Sequence, residues 1–212
     1  MRLRLTFTAL FLIAGAGVVG YHWPQEVRAV IRRVADPFVI RKVESHATDI
    51  RFAAEESDLD PYLLAALVYA ESSGRVDAIS SADALGLTQL RTDAANDAAK
   101  RIGVESPSRE ALLSDARLNL RLGAAHFAWI MEHEDADVLR SLMAYNAGRA
   151  RLRRWARAEG SYAAWYEKQK RAGDSEVLAY AERVQNYAEI FRERGKIDSA
   201  VPQISDANEQ LP

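Results

Sequence analysis

Residues 64–74 read LAALVYAESSG, an apolar run broken by one carboxylate, Glu71. On a helix turning about 100° per residue, Leu64 lies about 20° from Glu71, Leu67 about 40° and Val68 about 60°, so the carboxylate sits within the apolar stripe. It also falls in the last turn before Gly74, where the negative end of the helix dipole disfavours an anion. Burial and dipole both raise a carboxyl pKa, and an acid that keeps its proton near neutrality can donate it to a leaving group. A structural role suits the same position: an ion pair with an arginine, or a cap on a backbone amide, at the edge of the core. Helix position alone leaves both open.

The elements that position Glu71 read as helices. Asp60-Pro61 is a strong start signal, because aspartate caps free amides and proline suits the first turn. Gly74 is the matching stop. Further helices are predicted near residues 26–35, 38–55 (after Pro37), 92–101, 115–132, 137–145, 150–158 and 176–194, with no sustained period-two alternation of the kind a half-buried strand shows. The expected fold class is all-α.

Composition narrows the chemistry. The 212 residues are 49% hydrophobic and 27% charged with a formal net charge of -2, enough for one main domain with a core and without a global basic excess. The absence of cysteine removes disulfides, thiol catalysis and cysteine-ligated metals. His22, His46, His126 and His133 form no HExxH or other helical ligand pair, so neither a metal site nor a cofactor is expected. Five arginines in residues 149–157, RARLRRWAR, read as a solvated helix face or as an attractor for anionic groups such as carboxylates or lipid head groups. Nucleic acid is not an expected partner, given the overall charge.

Residues 1–23 begin with Arg2 and Arg4 ahead of an uncharged stretch from Leu5 to Trp23. The segment is expected to be an N-terminal hydrophobic helix, either a cleaved signal peptide ending near Ala14-Gly15-Ala16 or a membrane anchor through residues 5–23 with Tyr21 and Trp23 at the interface. Both place the rest of the chain outside the cytoplasm, in the periplasm or cell envelope, because positive flanks stay inside. A membrane-proximal helical segment (24–44), a catalytic domain (45–195) and a polar tail (196–212) complete the expected organisation.

From Glu71 the chain reads ESSGRVDAISSADALGLTQL. Glu71-Ser72, Ala78, Ser80, Ala84, Gly86-Leu87 and Gln89 fall in the register of the lytic transglycosylases with the soluble-lytic-transglycosylase (SLT) catalytic domain, which this chain resembles. Asn119-Leu-x-x-Gly123-Ala124, Ala144-Tyr145-Asn146-Ala147-Gly148, and Glu176 with Tyr180, Arg183 and Val184 follow in the family's order. The resemblance covers about residues 45–192 and implies a lysozyme-like helical domain with a cleft, acting on peptidoglycan glycan strands. It implies that Glu71 protonates the β-1,4 oxygen between N-acetylmuramic acid and N-acetylglucosamine, and then takes the proton of the muramic 6-hydroxyl to close a 1,6-anhydro ring. It also implies catalytic support from Tyr180, and substrate contacts from Ser72, Gly86, Gln89, Tyr145 and Asn146.

The chain departs from the family pattern in several places. Gly74 stands where an aromatic or large apolar residue is usual, Arg75-Val76 replaces Asn-Pro, Asp83 replaces a glycine, and Thr88 replaces a methionine that usually lines the sugar cleft. Two alternatives therefore stay open: a hydrolytic lysozyme-type glycosidase using Asp77 or Asp83 to activate water, and a catalytically idle wall-binding scaffold.

Overall fold

The computed structural model describes residues 36–198. The proposed signal or anchor, the helix at 26–35 and most of the polar tail lie outside the described residues. Two compact units divide between Phe38 and Val39, and the second, Val39–Pro212, carries the candidate site residues. Its described residues are all-α: β structure is confined to two isolated antiparallel bridges, Ile79 with Leu85 and Leu85 with Leu90. No described helix is long and apolar enough to cross a membrane.

After a helical stretch at 39–44, the helices are α1 Ala47–Glu56, α2 Pro61–Ser72, α3 Thr92–Arg101, α4 Arg109–Ser114, α5 Ala116–His133, α6 Val138–Ala147, α7 Arg149–Ala158, α8 Tyr162–Ala172 and α9 Glu176–Arg194. The helix expected across 38–55 is interrupted at Ser45 and His46. The Ser45 hydroxyl donates to the Lys42 carbonyl at 2.7 Å, taking the acceptor that the His46 amide would use, and His46 N–H turns to Val43 O instead.

Side-chain caps start most helices. Asp60 accepts from Tyr62 N–H at 2.9 Å, with Pro61 as the first helical residue. Ser108, Asp115, Asp137, Ser161 and Ser175 do the same for α4, α5, α6, α8 and α9. At the other end of α2, Ser73 adopts a left-handed conformation (φ +55°), and Gly74 follows at φ +71°. A Cβ on Gly74 would come 3.1 Å from Val43 N, so the large side chain usual in the family has neither the conformation nor the room here.

Two apolar clusters share α5. The larger gathers α1, α2, α6 and α9 around Leu64, Leu67, Phe127 and Phe191. The smaller packs Leu85 and Leu90 with Ala95, Ala98, Leu112 and Leu122 from α3, α4 and the other side of α5. The most extensive helix pairing is α2 on α9. There Tyr69 and Tyr187 stack with ring centroids 3.7 Å apart, and their hydroxyls bond at 2.7 Å. That contact sets the register of the two helices that carry the site.

Candidate active site

Glu71 is the penultimate residue of α2. The phenol of Tyr180, in the second turn of α9, donates to Glu71 Oε1 at 2.5 Å. Burial lifts the Glu71 carboxyl from the ordinary carboxylate range to about 7, against the opposing pull of the Tyr180 hydrogen bond and the Arg183 charge. The Arg183 guanidinium carbon lies 5.7 Å from the Tyr180 ring centroid. No carboxylate among the described residues contributes to that shift.

A second buried acid shows what the structural alternative looks like. Glu134, 4% exposed, is met by Arg140 Nε at 2.8 Å and Arg149 Nε at 2.9 Å, with Arg153 Nε at 3.8 Å. One of the five arginines of residues 149–157, Arg149, is therefore turned inward onto an acid, Arg153 reaches the same acid from the surface, and Arg151, Arg154 and Arg157 are exposed. Glu71 makes no such ion pair among the described residues. Its hydrogen-bond partner is a neutral phenol, which can serve either protonation state of the carboxyl group.

The raised pKa has a cost in stability. Between the ordinary carboxylate pKa and about 7 the folded protein binds the Glu71 proton more tightly than the unfolded chain, so this stabilisation is complete at low pH and is lost as pH rises through 7. The deficit above pH 7 is roughly 3 kcal/mol. Glu71→Gln is accordingly expected to raise the melting temperature at pH 8 and to leave it nearly unchanged near pH 4. An equal effect at both pH values would show that the carboxyl titrates normally.

Tyr145, near the end of α6, is the third member of the constellation. Its phenol donates to the Thr88 carbonyl at 2.7 Å, and burial and then the Glu71 charge hold its pKa well above the usual tyrosine range. Burial, the Glu71 charge and the Glu71 hydrogen bond do the same for Tyr180. Both phenols therefore remain hydrogen-bond donors across the pH range in which Glu71 titrates.

Thr88 leads to the buried amide of Asn119 on α5, which ties the 77–91 loop to the helices. Asn119 Nδ2 donates to Leu85 O and to Leu112 O, both at 3.0 Å. Its Oδ1 accepts from Thr88 N at 2.9 Å and from Thr88 Oγ1 at 2.7 Å. Two carbonyls face the nitrogen and two donors face the oxygen, so every polar atom of the side chain is used. Two glycines make room for this junction. A Cβ on Gly86 (φ +74°) would come 2.1 Å from Asn119 Nδ2, and one on Gly123 would come 2.4 Å from the Thr88 side chain.

The residues expected to touch substrate divide accordingly. Glu71, Tyr180 and Tyr145 are brought together. Gln89, at φ +50°, folds its amide nitrogen onto Ala78 O (3.1 Å) and Gly86 O (3.0 Å), which leaves its amide oxygen as the acceptor. Asn146 is exposed at the end of α6. Ser72 is buried, with its hydroxyl on Val68 O at 3.2 Å. The close approach at Gly86 is made by Asn119 and the Leu112 carbonyl. Asp83 pairs with Arg109 at 2.7 Å on the surface, and Asp77 is exposed in the same loop. Thr88 is fully buried.

Asn119 and Arg183 fall within family blocks of the sequence, but their residue types alone gave them no part in the site. For Asn119 the signal resembles that of Glu71: an amide on α5 about 40° around the helix from Gly123 and about 20° from Ile130, on a buried face.

A model of the transglycosylase SLT domain matches residues 49–168, which hold Glu71, Gln89, Asn119, Tyr145 and Asn146, while Tyr180 and Arg183 lie beyond the match. Among solved structures, an inactive mutant of the lytic transglycosylase Slt from Pseudomonas aeruginosa is similar at 25% identity over 70% of this chain, with a TM-score of 0.62. The 70 kDa soluble lytic transglycosylase of Escherichia coli shares the fold over 69% of the chain, at 23% identity and a TM-score of 0.60. This chain spans 24% of the length of each.

Proposed function

The chain belongs to the transglycosylase SLT domain family, and from that premise we propose that it is an exported or membrane-anchored peptidoglycan lytic transglycosylase with Glu71 as its single acid and base. The observation that carries this reading is the half-buried Glu71 carboxyl, with a pKa of about 7, held by a phenol at 2.5 Å instead of by a cation.

With Tyr180 donating to Oε1, the proton of the neutral acid sits on Oε2. That proton passes to the glycosidic oxygen between N-acetylmuramic acid and N-acetylglucosamine as the bond to the muramic C1 breaks. The acetamido group of the same sugar shares the charge on C1. Glu71, now a carboxylate, removes the proton of the muramic 6-hydroxyl while its oxygen bonds C1. The acid is regenerated, a 1,6-anhydro ring closes, and no water is consumed. A pKa near 7 suits a group that must give a proton and then take one. Tyr180 holds the carboxyl in place throughout. The Gln89 amide oxygen and exposed Asn146 supply polar contacts for the strand.

Hydrolysis through a second carboxylate is less well supported, because Asp83 is engaged with Arg109 and no carboxylate perturbs Glu71 among the described residues. Mass spectrometry of digested cell walls separates the two reactions. The proposal expects fragments ending in 1,6-anhydromuramic acid, and reducing muramic ends in their place would assign the protein to hydrolysis.

A further inference from the structure

Residues 39–46 pack against the end of α2, just beyond the acid. Ile40 and Val43 are buried in the larger apolar cluster. Glu44 meets Arg194, the last residue of α9, through both carboxylate oxygens, at 2.6 and 2.9 Å. The break at Ser45 and His46 then brings the His46 ring to the exit of α2, where Nε2 lies 3.3 Å from the Gly74 carbonyl oxygen. A carbonyl only accepts, so Nε2 carries the hydrogen and donates it. The backbone of the same stretch closes on the Gly74 Cα: Val43 N and the Lys42 carbonyl carbon would stand 3.1 and 3.2 Å from a Cβ there.

The exit needs such support. Ser73 is left-handed at φ +55°, and a non-glycine residue persists in that region only where its surroundings hold it. The groups that face Glu71 are Tyr180 and Arg183 from α9 and Tyr145 from α6, and none of them belongs to 39–46. Any influence of the stretch on Glu71 therefore passes through the end of α2.

We infer that residues 39–46 are a strap that positions the acid, with His46 as the positioning residue that acts on Glu71 through the Gly74 carbonyl. This role rests on the reading of Glu71 as the catalytic acid and names what fixes it in place from behind.

The test uses the full chain. His46→Ala removes the donor, and His46→Asn carries an amide that stops short of the carbonyl, whereas His46→Gln keeps an N–H able to reach it. With the exit released, water reaches Glu71 and its proton is held less tightly. Carbon NMR titrations follow the carboxyl directly, its signal assigned by its absence in Glu71→Gln. His46→Ala and His46→Asn should lower the midpoint from about 7 by about half a pH unit to one unit, and His46→Gln should restore most of it. The pH at which wall digestion declines should move with it. Arg121→Ala breaks the Glu56 pair between α1 and α5, controls for stability lost elsewhere, and should leave the midpoint at about 7. Thermal melts confirm that each variant is folded. A midpoint unmoved by loss of the donor, not restored by glutamine, or displaced equally in Arg121→Ala overturns the role of His46. The carboxyl midpoint is read without turnover, so a wild-type protein that digests no wall removes the enzymatic reading while the positioning of Glu71 is judged separately.

Discussion

Glu71→Gln is expected to lower the release of soluble fragments from isolated cell walls by about 10³-fold or more, since removal of one general acid or base costs ~10²–10⁴ and this residue serves in both capacities. Glutamine keeps the shape of the side chain and an oxygen for the Tyr180 phenol, so binding should survive. Rates on saturating walls, measured beside the wild type, isolate the chemical step. The wild-type rate should fall as pH rises through about 7, where the acid form is lost. Equal digestion by wild type and variant would remove the enzymatic reading and leave wall binding as the function.

The second large effect belongs to Asn119. Truncation to alanine removes its four hydrogen bonds at a position with no solvent access. Leu85 O keeps the Leu90 amide and Thr88 Oγ1 keeps Asn119 O at 3.3 Å, but Thr88 N and Leu112 O lose their side-chain partner. Buried groups left unpaired cost about 1–3 kcal/mol each, so a total loss of about 4 kcal/mol is expected in denaturant unfolding. Asn119→Asp should be comparably harmful, because it aims a carboxylate at two carbonyl oxygens. A loss below about 1 kcal/mol for alanine would show that the 77–91 loop is held by its apolar contacts alone.

Much of this was legible in the sequence where local chemistry decides the outcome. The Asp60-Pro61 start bounds α2 as its residue types imply, the left-handed exit begins at Ser73, one residue before the glycine read as the stop, and α9 runs from Glu176 to Arg194 as its periodicity predicts. Two helices gave no such signal. α4 has six residues, and α8 buries only Trp165, so neither carries an apolar stripe to read. The Glu71–Tyr180 pair was expected only through family register, because its members stand 109 residues apart and meet through the packing of α2 on α9. Ser72 shows the opposite limit. Its neighbour fixes its place on the helix, but a hydroxyl can choose between a ligand and the carbonyl one turn back, and here it takes Val68 O.

The Thr88 side chain faces Asn119 and fills the space that Gly123 leaves, while only the carbonyl of residue 88 reaches Tyr145. Substitution at this position is therefore expected to register first in how securely the loop folds. A library that randomises position 88 is therefore expected to sort by thermal stability, with side chains that suit the space beside Gly123 and Asn119 retained.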